Sequence, residues 1–152
     1  MTGSIASPFN VSDYRKALGG FATGVCVVTA QTADGPLGIT VNSFTSVSLE
    51  PPLILWCLDR ASVRHDAFAA AERFAVHMLP VEDRDLSDRF AWGVCRLSGE
   101  DFDNAVDEPP RLRNALTRLE CSVADRLVMG AHLTIVGLVS GYQTRAGRRL
   151  TY

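Results

Sequence analysis

The chain has 152 residues, 47% hydrophobic and 21% charged, enough apolar side chains for one domain whose core needs no disulfide staples. Fifteen Lys and Arg against seventeen Asp and Glu leave a formal net charge of −2, so no broad cationic field exists to hold nucleic acid or an anionic membrane. The longest apolar run, residues 53–58, falls far short of the roughly 20 residues that span a bilayer, and residues 1–8 have neither the basic nor the apolar part of a secretory signal. The expectation is a cytoplasmic protein of one domain, residues 1–152.

Residues 13–21 have amphipathic helical spacing, with Asp13 as cap and Gly19-Gly20 as stop. The period then changes. Residues 25–31 are β-branched and predict a strand, Asp34-Gly35-Pro36 supplies a turn, and residues 37–41 return as the second arm of a hairpin. A polar segment, residues 42–48, precedes Pro51-Pro52, which fixes an extended lead-in to a third strand over 53–58. Residues 59–62 break the apolar run, and 63–72 predict a helix with Ser62 as N-cap. Residues 74–79 predict a fourth strand. After Pro80, residues 81–91 have helical spacing, with Val81, Leu86 and Phe90 on one face. Residues 92–114 form a polar, irregular excursion containing Pro109-Pro110. Two further strands, 116–124 and 132–142, are joined through 126–130. About six strands in turn-linked pairs, with two or three short helices, predict a mainly antiparallel barrel and not a doubly wound sheet.

Two segments carry candidate chemistry. Residues 38–48 (Gly-Ile-Thr-Val-Asn-Ser-Phe-Thr-Ser-Val-Ser) are rich in hydroxyl and amide groups and contain no charge. Such a strip suits a neutral heterocycle; it equally suits a solvent-facing strand edge. Residues 57–65 run from a strand end into a helix start bearing Ser62, Arg60 and Arg64, which suits a phosphate or ordinary capping. Cys26, Cys57, Cys95 and Cys121 form no C-x-x-C pair, and His65, His77 and His132 are scattered, so no metal site is expected. Phe44, Trp56 and Trp92 are expected in the core, with a lid as the alternative for Trp92, which lies in a polar loop. His77, alternating within a strand, reads as core or surface and not as catalytic. The carboxylates around 82–88 and 100–103 read as solvated faces. The G-x-G-x-x-G and P-loop nucleotide fingerprints and the G-x-S-x-G nucleophile elbow are absent from the sequence. Without acid–base machinery, chemistry carried by bound cofactors fits this pattern best.

The chain resembles the flavin reductase-like family, the reductase components of two-component flavin monooxygenases. The resemblance is carried by Phe21-Ala-Thr-Gly-Val25, by residues 38–52 ending in Leu-Glu-Pro-Pro, and by Leu55-Trp-Cys-Leu-Asp-Arg60. Arg73-Phe-Ala-Val76, Leu86-Ser-Asp-Arg-Phe-Ala91, Leu119-Glu-Cys121 and Gly130-Ala-His132 extend it across most of residues 14–139. It implies an FMN-binding split barrel, antiparallel and mainly β, that forms a homodimer. The implied activity is reduction of FMN or FAD by NADH or NADPH, with the reduced flavin passing to a partner monooxygenase. Flavin contacts are implied at Thr40, Val41, Asn42, Ser43 and Ser46, then at Cys57, Leu58 and Asp59, with Ser62 on the phosphate and Arg89 and Phe90 nearby. His132 is implied to position the nicotinamide. The family's Gly-Asp-His reads Gly130-Ala131-His132 here, one carboxylate fewer, and the family's aromatic tail is expected to be shortened. Two alternatives stand beside this: a split barrel that binds flavin without reducing it, and an enzyme of the pyridoxine-phosphate oxidase type.

Overall fold

The computed structural model describes residues 10–21, 23–91, 96–103 and 108–151. Residues 1–8, the candidate lid Trp92 and Cys95 lie outside them. Helix α1, Val11–Leu18, begins earlier than expected: Asn10, not Asp13, is the cap, its Oδ1 accepting the Asp13 N–H at 3.0 Å. Asp13 instead sits in the first turn, where its negative charge favours the positive end of the helix dipole. Strands β1, Cys26–Thr32, and β2, Gly35–Val41, form the expected hairpin, with Gly35 at φ 96 closing the turn.

Strand β3, Thr45–Leu49, lies in the polar segment for which a solvent-facing strand edge is one of the two readings, and a turn through Glu50 and cis Pro51 leads to β4, Pro52–Asp59. It is an edge strand that pairs with β4 alone and buries none of its residues fully, so no apolar alternation sets its bounds. Helix α2, His65–Ala70, is shorter than expected, and Ser62 does not cap it. Ser62 Oγ instead accepts the Arg64 N–H at 3.1 Å within the preceding turn. Strand β5, Arg73–Met78, is followed by a 3-10 turn, Val81–Asp83, and by α3, Arg84–Ala91. The polar excursion contains a two-residue ladder, β6 (Phe102–Asp103) with β7 (Arg111–Leu112).

Strands β8, Thr117–Met129, and β9, His132–Thr144, are paired along their lengths and turn at Gly130, φ 60, and Ala131. Residues 126–130 were expected to be a connection. Their strand is held by ladder bonds to β9 and not by a core, since Leu127, Val128 and Met129 are all exposed. No apolar alternation marks such a strand end.

The main sheet has seven strands in the order β2-β1-β5-β8-β9-β4-β3. Its two edges, β2 and β3, are consecutive in the chain and joined by only Asn42, Ser43 and Phe44. Four Cα steps reach at most about 14 Å, whereas the edges of a flat seven-stranded sheet would stand about 29 Å apart. The sheet must curl until its edges approach, yet no ladder joins them. That is a split barrel.

Strand β1 is buried on both faces and divides the core. Cys26, Val28 and Ala30 join the larger cluster around Trp56, which meets Phe68 and Phe74 edge-on at 5.9 and 6.0 Å. Val25 and Val27 join a second cluster with Leu79, Phe90, Leu112 and Leu150, closed by α3. Each fully buried side chain of this size contributes about 1.5–3 kcal/mol.

Candidate functional site

The seam of the barrel holds a cleft of about 200 Å3 lined by Ile39, Thr40, Val41, Asn42, Ser43, Cys57, Asp59 and His132. Seven of these eight are residues expected from the sequence; Ile39 is the addition, and its place beside Thr40 on β2 was the available signal. β2 supplies one wall, β4 and β9 the other. Asp59 and His132 are register partners at the β4 and β9 ends, so a carboxylate and an imidazole face the same opening.

The walls are tied by side chains. Ser43 Oγ accepts the Cys57 N–H at 2.9 Å and lies 3.4 Å from the Cys57 carbonyl, to which it donates. Thr40 Oγ1 donates to the Ser87 carbonyl of α3 at 2.6 Å. Both hydroxyl protons are thereby used within the protein. What remains for a ligand on this wall is Asn42, which is exposed, and the outward backbone of β2. Beyond the isolated Leu37–Arg96 bridge, that side of residues 39–41 carries no strand among the described residues. Unpaired strand-edge N–H and C=O groups are strong, neutral hydrogen-bonding partners.

The turn after β4 is locally determined. Asp59 Oδ1 accepts the Ala61 N–H at 2.9 Å, and the Asp59 carbonyl accepts the Ser62 N–H at 3.1 Å. Arg60 joins this turn to the one before His132: its backbone N–H donates to the Ala131 carbonyl at 3.0 Å and its Nη1 to the Gly130 carbonyl at 3.3 Å. Cys57 Sγ lies 3.6 Å from Thr134 Oγ1. Burial pushes the thiols of Cys26 and Cys121 up to about 12, so both are inert core groups.

Five expected contact residues do not line the cleft. Leu58 is 0% exposed and points into the core, leaving only its backbone to offer. Phe90 is likewise 0% exposed, its ring against Gly38, where an added Cβ would stand 3.3 Å from it. Arg89 is engaged elsewhere, 2.7 Å from Asp101 and 4.7 Å over the Phe90 ring. Burial alone would raise the Asp101 carboxyl; hydrogen bonds from Arg89 and Ser98 outweigh it and hold the group below its usual value. Ser46 lies on exposed β3, and Ser62 is in the turn beyond Asp59. A second pocket of about 300 Å3 shares Asn42 with the cleft and is mostly apolar, with Val25, Phe44, Met78 and Leu150 in its walls. Among the described residues no group of three or more His, Cys, Asp or Glu could hold a metal, and no helix is long and apolar enough to cross a membrane.

An antiparallel sheet curled to an open seam, with neutral strand-edge groups on one wall and a carboxylate–imidazole pair on the other, defines a split-barrel protein. The chain belongs to the family described as flavin reductase like domain, which matches residues 18–152. It is 43% identical over 143 residues to FMN reductase (NADH) SmoA of Agrobacterium fabrum, covering 94% of this chain and 82% of that protein. It is 31% identical to the reductase component of the 4-nitrophenol 4-monooxygenase/4-nitrocatechol 2-monooxygenase of Rhodococcus opacus, covering 100% of this chain and 82% of that one. Among solved structures, the NADH:FAD oxidoreductase SgcE6 of Streptomyces globisporus superposes with a TM-score of 0.88 at 31% identity, covering 99% of this chain and 92% of that one. A longer relative, 40% identical, is matched over 48% of its length, so the chain spans about half of that protein.

Proposed function

We propose that residues 1–152 act as one flavin reductase domain that oxidises NADH or NADPH, reduces FMN or FAD, and releases the reduced flavin to a partner monooxygenase. The observation that carries this reading is the neutral cleft at the barrel seam with Asp59 and His132 at its mouth. Its donor set fits a flavin: uncharged edge groups of residues 39–42 suit the carbonyls and ring nitrogens of an isoalloxazine, and no buried charge opposes a neutral ring. When bound, the flavin supplies the ring that accepts the hydride. The protein's part is to hold and align. Thr40, Val41, Asn42 and Ser43 carry one side of the ring, and the Cys57–Asp59 backbone carries the other. The turn at Ser62 receives the phosphate, and His132 orients the nicotinamide. The names of the relatives support a nicotinamide donor, a flavin acceptor and a monooxygenase partner.

A second copy of the chain is part of the proposal. Leu49 is 89% exposed and Tyr142 76%, and the apolar face of α1 (Val11, Tyr14, Leu18) is exposed as well, surface that a homodimer would cover. The deciding experiment follows NADH and NADPH oxidation with and without added FMN, FAD and riboflavin. Flavin-dependent oxidation is expected with at least one pair. Protein that retains bound flavin without oxidising either nucleotide would instead be a binding module.

A further inference from the structure

Helix α3 touches the β2 wall of the seam and is held from the other side by the segment that follows β4. Toward β2 it is fixed by the Thr40 hydroxyl on the Ser87 carbonyl at 2.6 Å and by the Phe90 ring seated on Gly38. Toward the β4 side it is fixed by Arg64, whose Nη1 donates to the Phe90 carbonyl at 2.6 Å. Arg64 stands at the N-cap of α2, two residues past Ser62, so its guanidinium reaches from the proposed phosphate turn to the end of α3. Its Nε is buried and has no hydrogen-bond partner among the described residues. The contact is short, charge-assisted and half-buried, which places it among the stronger classes of hydrogen bond. It also suits the free carbonyls and negative dipole of a helix C-terminal turn.

Among the described residues no ladder spans the seam, so its width depends on such ties. Ser43 with Cys57 is one, at the link between β2 and β3. The chain of Thr40, α3 and Arg64 is another, on the side of the turn beyond Asp59. We propose that α3 is a brace across the split of the barrel and that Arg64 is a positioning residue, setting the spacing between the strand-edge wall and the phosphate turn and thereby the affinity for flavin. This rests on the flavin reading above.

The test measures flavin dissociation constants by quenching of FMN fluorescence on the full-length protein, alongside steady-state kinetics. In Arg64→Ala the FMN dissociation constant and KM rise about tenfold, the scale of one lost charge-assisted bond. The kcat at saturating FMN stays within about twofold, because no group that touches the reactants has been removed. Arg64→Lys, which keeps a charged donor, recovers part of the loss. Gly38→Ala, whose Cβ would stand 3.3 Å from the Phe90 ring and displaces it slightly, raises the FMN dissociation constant in the same direction by a smaller factor from the other end of the brace and serves if Arg64→Ala does not fold. Wild-type FMN affinity in folded variants, or a kcat that falls as far as affinity does, would overturn the proposal. Failure of the wild-type chain to bind FMN would instead overturn the flavin reading itself.

Discussion

His77 shows how much a single buried residue can determine. It is fully buried; its Nδ1 lies 3.1 Å from the Val27 carbonyl and its Nε2 receives the Leu112 N–H at 3.2 Å. Only the neutral ring with its proton on Nδ1 satisfies both, and burial, with Arg118 adding to it, pushes the group down to about 3 against a value of 6.5 unfolded. Because the folded value is the lower one, this contribution to stability is complete above pH 6.5 and is lost as the pH falls from there towards 3. The slope is about 1.4 kcal/mol per pH unit. Urea midpoints measured between pH 7.5 and 4.5 should fall steeply in the wild type and more gently in His77→Leu. Equal slopes would place the acid sensitivity elsewhere. The same substitution strands the Leu112 N–H and the Val27 carbonyl, so at pH 7.5 it should destabilise by about 1–3 kcal/mol.

At the scale of elements, β5 and the β8–β9 pair meet where Gly137 admits the Phe74 ring. A Cβ there would stand 2.6 Å from Phe74 Cζ and 3.1 Å from Cys121 Cβ, both in the larger core. Gly137→Ala therefore overpacks a site with no slack and should cost about 1–3 kcal/mol, read as a lower melting temperature. Gly38→Ala, whose neighbour has to give only slightly, should cost less. An order reversed from this would mean that Phe74 can leave its place. The elements also show what the sequence makes legible. β1, β4 and β5 were found close to their true bounds because burial dictates their composition: residues such as Val28, Trp56 and Val76 tolerate no water. Edge strand β3 and the last turns of β8 are fixed by backbone pairing to a neighbour, which leaves no mark on side-chain type. The capping of α1 and α2 was misread for a related reason. Asn10, Ser12 and Asp13 all stand near the start of α1, and Ser62 stands alone before α2; only the three-dimensional path of the chain selects Asn10 and passes over Ser62.

For the whole molecule, most of the cleft was legible and its supports were not. The uncharged run from Thr40 to Ser43 and the turn at Asp59 stand out by composition, and the structure brings them to one cleft. Arg64, Phe90 and Ser87 act through contacts between segments more than 20 residues apart, which no local pattern encodes. The proposed homodimer has a further candidate surface at the β8–β9 turn, where Leu127 and Met129 alternate onto one face beside His132 and are both exposed. Light scattering on size-exclusion fractions should give twice the chain mass for the wild type. Leu127→Lys with Met129→Lys should shift it to the monomer. An unchanged mass would exclude this pair from the interface.

The link of Asn42, Ser43 and Phe44 between the two edges of the sheet also bears on how the chain reaches its native state. Ser43 and Cys57 are 14 residues apart, whereas β5 meets β8 and β4 meets β9 across separations of roughly 40 to 85 residues. Closing the short loop costs about 1 kcal/mol less entropy than closing the longer ones. The Ser43–Cys57 contact is therefore entropically nearer than the β5–β8 and β4–β9 ladders, which are the slow ones. Substitutions at Ser43 should slow folding, while those at the β4–β9 pairing, such as Thr134→Val, should mainly speed unfolding. Chevron plots for the two variants would show this directly, and the opposite partition would mean that the barrel is drawn shut only after its staves are assembled.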